Sequence, residues 1–292
     1  MPRPNSFPEI CFKGEKAMQK ALHLTNTTLV ITMRCNLKCK LCAVSVPYYK
    51  HPEHYSLEML QQTVDRYFMA VDTVEKFTIN GGEPFTHPQL PELMDYLLQY
   101  QDRIGMLEIL TNGSLAPSQS LIDVLAKSNK TNVLIDDYGP QLSKKVSDAI
   151  AAFEQHGVAY RHRTYHGSDA HCGGWVDLTR IGMKNRSPKE TAEVYAKCAY
   201  PGPFHCLAIF GGKAYICGVY KKCVTDGLIP DVPSEYIDFL AEDYDLENVR
   251  TQIASFHQRS YFSACAYCDG FCPDSPRYTP AEQLGGKVYA NS

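Results

Sequence analysis

Short β-branched runs alternate with stretches that carry apolar residues at helical spacing from the first strand-like run to about Thr164. The runs at 28–32 (TLVIT), 76–80 (KFTIN), 106–110 (MLEIL), 132–135 (NVLI) and 159–165 (AYRHRTY) predict strands. The stretches at 56–69, 90–100, 118–126 and 141–156 predict the helices between them, the first with Ser56 at its N-cap. Such alternation argues for parallel βαβ units with right-handed crossovers, an α/β fold whose functional loops lie at the C-terminal ends of its strands. The first run ends at a group of cysteines and the second at Gly81-Gly82, so unusual residues stand where such a fold does its chemistry. Beyond Thr164 the pattern dissolves into 166–178 (HGSDAHCGGWVDL), which holds the only tryptophan, Trp175, and predicts a loop over the site. After Cys198 the pattern changes again: 204–210, Gly211-Gly212 and 213–220 predict a β-hairpin with a two-residue primed turn. A first unit is expected at 1–190, with residues 1–27 as an N-terminal extension, and a second at 191–292.

At 292 residues, 44% hydrophobic and 21% charged, the chain has ample material for a large core. A net charge of -3 with both signs interspersed offers no basic face for nucleic acid. Residues 1–34 contain no apolar run long enough for a signal sequence or a membrane span. A cytoplasmic protein with neither nucleic acid nor membrane as partner is expected. Twelve cysteines in that compartment point to metal rather than to disulfides. Three fall at Cys35, Cys39 and Cys42, seven crowd between Cys198 and Cys272, and Cys11 and Cys172 stand apart, so two metal regions are implied.

Three thiolates within the span Cys35–Cys42 can wrap one face of an iron-sulfur cubane and leave the fourth iron without a protein ligand. Zinc normally takes two near and two far ligands, so the spacing favours iron while leaving zinc open. In Gly81-Gly82-Glu83-Pro84, glycines let backbone approach a ligand and the acid suits an ammonium group, although the same tetrapeptide alone is an ordinary turn. Thr111-Asn112-Gly113 and Asp136-Asp137-Tyr138-Gly139 mark the third and fourth strand ends. Asp136 or Asp137 reads as a ligand contact, a proton acceptor or a plain turn aspartate. Arg161 and Arg163 are two residues apart on the fifth strand and share a face, from which one can pair with a carboxylate.

The C-x3-C-x2-C spacing with Leu41 before the last cysteine, followed at the next strand's end by Gly-Gly-Glu, resembles the radical S-adenosylmethionine (SAM) superfamily. The resemblance implies a partial (β/α)6 TIM-like barrel and a 4Fe-4S cluster on Cys35, Cys39 and Cys42 whose open iron chelates SAM. It implies reductive cleavage of SAM to a 5'-deoxyadenosyl radical that abstracts hydrogen from a substrate. It further implies cofactor contacts from Gly81, Gly82, Glu83, Pro84, Asn112 and Asp136, with Arg161 or Arg163 toward the SAM carboxylate. Asp137 is the candidate for a substrate proton, and an electron donor such as flavodoxin or ferredoxin is the implied partner.

In the hairpin, counting back from Gly211-Gly212 pairs 210 with 213 and finally Cys206 with Cys217 on one face. Cys198 upstream and Cys265-Ala-Tyr-Cys268-Asp-Gly-Phe-Cys272 downstream add near and far ligands, suited to a cluster or a zinc ribbon. Gly212-x4-Cys217 with Cys198 and the late C-x2-C-x3-C is similar to the SPASM and twitch extensions, which implies a second, auxiliary 4Fe-4S cluster. Cys206, Cys217 and Cys268 are its expected ligands, with Cys198, Cys265 and Cys272 competing for the remainder and Cys223 a surface thiol. Cys172 is expected in the mouth loop, as a hydrogen-atom donor, as part of a pocket with His171 and Trp175, or as an inert thiol in a lid. Members with such extensions include dehydrogenases and epimerases of aminocyclitols and sugars, nucleotide cyclases and ribosomal-peptide maturases. The roughly 27 residues before the first strand are too few for a peptide-binding domain, so oxidation or epimerisation of a small polar molecule is expected. Peptide maturation and a non-catalytic iron-sulfur or zinc relay are the alternatives.

Overall fold

The computed structural model describes residues 21–168 and 170–286. Cys11 and most of the N-terminal extension lie outside the described residues. The predicted alternation is present: β1 (His23–Thr32), α1 (Leu57–Ala70), β2 (Thr73–Gly81), α2 (Leu90–Leu97), β3 (Ile104–Thr111), α3 (Gln119–Leu125), β4 (Thr131–Asp137), α4 (Val146–His156) and β5 (Tyr160–Thr164). Then come α5 (Pro188–Lys197), β6 (Ala208–Phe210), β7 (Lys213–Tyr215), α6 (Gly218–Thr225), β8 (Ile237–Asp238) and α7 (Leu246–Ser255). All eight strands join one open sheet in the order β5-β4-β3-β2-β1-β6-β7-β8. Neighbours from β5 through β6 run parallel, and β6, β7 and β8 pair antiparallel. The sixth parallel strand is thus the first arm of the hairpin, and it lies beside β1, with Leu29 opposite Ile209.

Period-two geometry sorts the sheet into two unlike faces. Leu29, Ile31, Phe77, Ile79, Leu107, Ile109, Val133 and Ile135 are buried on one face and share a core with Leu60, Tyr67, Leu93, Leu125 and Phe153 of the helices. Each such side chain contributes about 1.5–3 kcal/mol when fully buried. The other face is polar at depth, with Thr78, Glu108 and Asn132 in register across three strands. Its upper end, at Asn80, Leu110, Asp136 and Arg163, borders a cavity.

Local signals explain most boundaries. Ser56 and Ser118 accept the N–H groups of Met59 and Leu121, each at 3.2 Å, and Ser187 forms a capping box with Glu190 at the head of α5. Helix α4 begins at Val146 rather than near Gln141, because Ser143 is spent on the strand ends: its hydroxyl accepts from Tyr138 N–H and donates to the Asn112 carbonyl. In the hairpin, Gly211 and Gly212 take φ of 54° and 84°, as a primed turn requires. The ladder ends at the pair Ala208–Tyr215, and Cys217 already caps α6, so the expected cross-strand pairing of Cys206 with Cys217 is not made. Among the described residues no helix is long and apolar enough to cross a membrane.

Candidate functional site

The loop after β1 carries Cys35, Cys39 and Cys42 over the strand ends. It is seated by Gly82 N–H on the Thr32 carbonyl (2.8 Å) and Glu83 N–H on the Arg34 carbonyl (2.9 Å). Any side chain at Gly81 would run into the Thr32 carbonyl oxygen, and one at Gly82 into that of Arg34. The two glycines are therefore demanded by the packing of β2 against the cysteine loop, whereas close approach of a ligand was the expected reason. Glu83 also departs from expectation. Its carboxylate is wholly buried, accepting from Phe85 N–H (3.0 Å), Thr111 Oγ1 (2.8 Å) and Asn112 N–H (2.7 Å), and is absent from the cavity lining. Burial pushes its pKa up to about 7 against the pull of those donors. Pro84 opens the short 3-10 turn behind it and likewise does not line the cavity.

The cavity encloses about 460 Å³ and is lined by Cys35, Cys39 and Cys42 together with Gly81, Gly82 and Asn112. Cys35 Sγ accepts from Leu37 N–H (3.4 Å), and Cys39 Sγ from the Gln283 side-chain amide (3.3 Å). Backbone groups of Val44, Ser45 and Val46 serve Cys42, and the Asn112 amide lies 3.7 Å from Cys35 Sγ. Burial raises all three thiols, Cys39 to about 12, while the N–H donors favour thiolate. Bound iron would reconcile these opposed demands, since it would supply the positive charge that water cannot, and N–H donors to ligand sulfur are its usual outer support. Among the described residues no three of His, Cys, Asp and Glu converge on a point that fits a single metal ion. Cys35, Cys39 and Cys42 border one volume, in which a multi-iron cluster could be held.

Around the rest of the cavity, the two adjacent aspartates part company by strand parity. Asp136 faces inward and takes a bidentate bond from Arg163, Nε to Oδ1 at 2.7 Å and Nη2 to Oδ2 at 2.8 Å. Burial pushes its carboxyl up to about 6 despite that partner. Asp137 faces away, accepting from Gly139 N–H (2.7 Å) and meeting His162 Nε2 (3.1 Å) and His166 Nε2 (3.4 Å), so it does not touch the cavity. Arg161 shares the inward parity with Arg163 but sits lower, paired with the buried Glu108, and is also absent from the lining.

From the segment after β5, His171, Cys172 and Trp175 all line the cavity. Trp175 is fixed by a two-way backbone pairing with Tyr278 and by an edge-on contact with Tyr138 at 5.3 Å. Cys172 is exposed. Burial and the nearby Arg163 lower the pKa of His171, keeping the imidazole neutral near pH 7. Tyr138, Tyr165, Tyr200, Phe204 and Phe271 complete the walls without a motif to announce them.

A second, small cavity of about 40 Å³ lies among the C-terminal thiols, lined by Cys198, Cys217, Cys265 and Cys268. Cys198 Sγ accepts from Phe271 N–H (3.4 Å) and Cys268 Sγ from Gly270 N–H (3.3 Å), and a backbone group of Tyr220 serves Cys217. Four thiols with such support could ligate a closed cluster. Cys206 and Cys272, both named as candidate ligands, do not line it. Cys206 lies beyond the hairpin ladder, buried near Cys198, and the Cys272 thiol turns toward the Val194 and Asp269 carbonyls. Cys223 is fully buried on α6 rather than at the surface. Leu178, Tyr200 and Phe271 border both cavities.

Residues 29–138 match the profile of the Radical SAM superfamily. The antilisterial bacteriocin subtilosin biosynthesis protein AlbA of Bacillus subtilis (strain 168) is 31% identical over 145 residues, 48% of this chain and 29% of that protein. GTP 3',8-cyclase of Syntrophomonas wolfei subsp. wolfei is 28% identical over 118 residues, 40% of this chain and 36% of the cyclase. The chain therefore spans well under two thirds of either relative. The solved structure of a histidine-tagged anSMEcpe with bound AdoMet shares the fold at a TM-score of 0.53 and 15% identity, over 85% of this chain and 86% of that one. Native anSMEcpe with bound AdoMet and Cp18Cys peptide does so at 0.52 and 17% identity, over 86% and 89%. The matched segment runs from β1, through the cysteine loop and the glycines that seat it, to the inward Asp136, and residues 29–138 thus carry the profile of the Radical SAM superfamily, whose members use a 4Fe-4S cluster and SAM.

Proposed function

We propose that Cys35, Cys39 and Cys42 hold the SAM-cleaving cluster and that the adjoining cavity binds SAM and a small polar substrate, which the enzyme oxidises. Cys198, Cys217, Cys265 and Cys268 hold an auxiliary cluster, the acceptor for the electron that oxidation releases. The observation that carries the reading is the wall of Leu178, Tyr200 and Phe271 common to both thiol-lined cavities. When bound, the first cluster and SAM supply a 5'-deoxyadenosyl radical that abstracts a hydrogen atom from substrate, at the expense of one electron from an external donor. The chain's residues do the rest. Arg163, held by two bonds to Asp136, keeps further N–H donors for a carboxylate or hydroxyl in the cavity. Trp175, Tyr138 and Leu110 exclude water from the reacting groups. His171, neutral and on the lining, accepts the hydroxyl proton as the substrate carbon becomes a carbonyl, and the shared wall separates the substrate from the electron's acceptor.

Two observations favour other readings. Cys172 lines the cavity, where an epimerase needs a thiol hydrogen-atom donor within reach of the substrate. AlbA is a bacteriocin biosynthesis protein, which favours a peptide substrate. One experiment sorts them. Protein reconstituted anaerobically with iron and sulfide is reduced with dithionite and given SAM with deuterated polyols, aminocyclitols or peptides. Deuterium in 5'-deoxyadenosine identifies the substrate class, and a carbonyl product that persists in Cys172→Ala supports oxidation. Solvent deuterium in a product of inverted configuration, lost in Cys172→Ala, establishes epimerisation instead. A fully loaded protein that forms no 5'-deoxyadenosine leaves only the relay reading.

A further inference from the structure

Tyr195 lies on α5, one turn before Cys198, whose N–H donates to the Tyr195 carbonyl at 3.0 Å. Its ring is 7% exposed, packs against Phe262 at 6.0 Å between centroids, and lines the second cavity beside Cys198, Cys217, Cys265 and Cys268. Its hydroxyl is buried and meets no hydrogen-bond partner among the described residues. An unpaired buried hydroxyl loses its hydration without compensation. A water could relieve it only with two to four polar partners of its own, and the neighbouring wall is Leu178, Val194, Ile216 and Val219. What the cavity offers instead is sulfur.

We propose that Tyr195 is a positioning residue of the auxiliary cluster: its O–H donates to a sulfur of the cluster held by the four surrounding cysteines and raises that cluster's reduction potential. The inference rests on the auxiliary-cluster reading above. A donor to sulfur stabilises the reduced, more negative cluster more than the oxidised one, so it favours uptake of the substrate's electron.

The full chain with Cys35, Cys39 and Cys42 all changed to Ala isolates the second site, and Tyr195→Phe in that background removes the O–H while keeping the ring. Iron and sulfide content, the midpoint potential from an EPR-monitored titration, and the Fe–S resonance Raman bands in H2O and D2O are measured. Expected are equal iron in both proteins, a more negative potential in Tyr195→Phe, and a D2O band shift that shrinks in the variant. Site-specific 3-fluorotyrosine at position 195, a stronger donor, moves the potential the opposite way and provides the reading if Tyr195→Phe fails to fold. Full iron with unchanged potential and unchanged isotope shift overturns the inference. Absence of iron from the parent triple variant overturns the auxiliary-cluster reading itself, and the inference with it.

Discussion

Glu83 shows how one buried carboxylate can serve a site it does not face. It joins the end of β2 to the end of β3 and holds the turn on which the cysteine loop rests. Glu83→Ala leaves two N–H groups and a hydroxyl unpaired at about 1–3 kcal/mol each, so denaturant unfolding of the apo-protein is expected to show a loss of roughly 3 kcal/mol or more. The pH dependence follows from the raised pKa. Folded Glu83 binds its proton more tightly than in the unfolded chain, so its contribution is full below about pH 4.5 and is lost as pH rises through about 7. Glu83→Gln is expected to flatten that part of the stability profile. The Gly-Gly-Glu motif is legible in the sequence, but its reason is not: the close backbone approach and two of the three donors to Glu83 come from residues some thirty to fifty positions away.

At the scale of elements, the cysteine loop is completed by a strap from the far end of the chain. Lys40 N–H bonds the Glu282 carbonyl at 2.7 Å, Leu284 N–H bonds the Lys38 carbonyl at 2.9 Å, and Gln283 accepts from Lys38 N–H at 2.8 Å while donating to Cys39 Sγ. The same segment pairs with Trp175 through Tyr278, so lid and loop are held by one strap. Gln283→Leu removes the side-chain donor but leaves the backbone pairing. Chelator-driven iron release from the first site is expected to rise roughly three- to tenfold, the equivalent of one hydrogen bond, with release from the second site unchanged. Equal rates at both sites in the variant would deny Gln283 this role. Nothing in the local sequence marks Gln283, because the contact spans more than two hundred residues.

For the molecule as a whole, the placement of β6 beside β1 brings the C-terminal thiols against the cavity at the other strand ends. The two cavities share a wall but no cysteine. The triple Cys35/Cys39/Cys42→Ala variant is therefore expected to fold and to keep about half the iron of the two-cluster protein, since separate ligand sets load independently. A folded triple variant without iron would show that Cys198, Cys217, Cys265 and Cys268 do other work.

What the sequence determined by itself is what short-range physics encodes. Strand and helix periodicities, the serine caps, the primed Gly211-Gly212 turn and the three-cysteine spacing all depend on neighbours within a few residues, and the fold class and the Radical SAM resemblance of residues 29–138 followed from them. Tertiary structure alone decided which cysteines meet. The hairpin count favoured Cys206 because it assumed the ladder ran on, but α6 starts at Gly218, ends the ladder and turns Cys217 toward Cys198, Cys265 and Cys268. The register of β4 against β3 and β5 likewise set Asp136 inward and Asp137 outward, and the lid and strap brought His171 and Gln283 to the cavity and its cysteines. Those choices rest on packing between distant segments, where a one-residue change of register or helix start exchanges the residues that face the site.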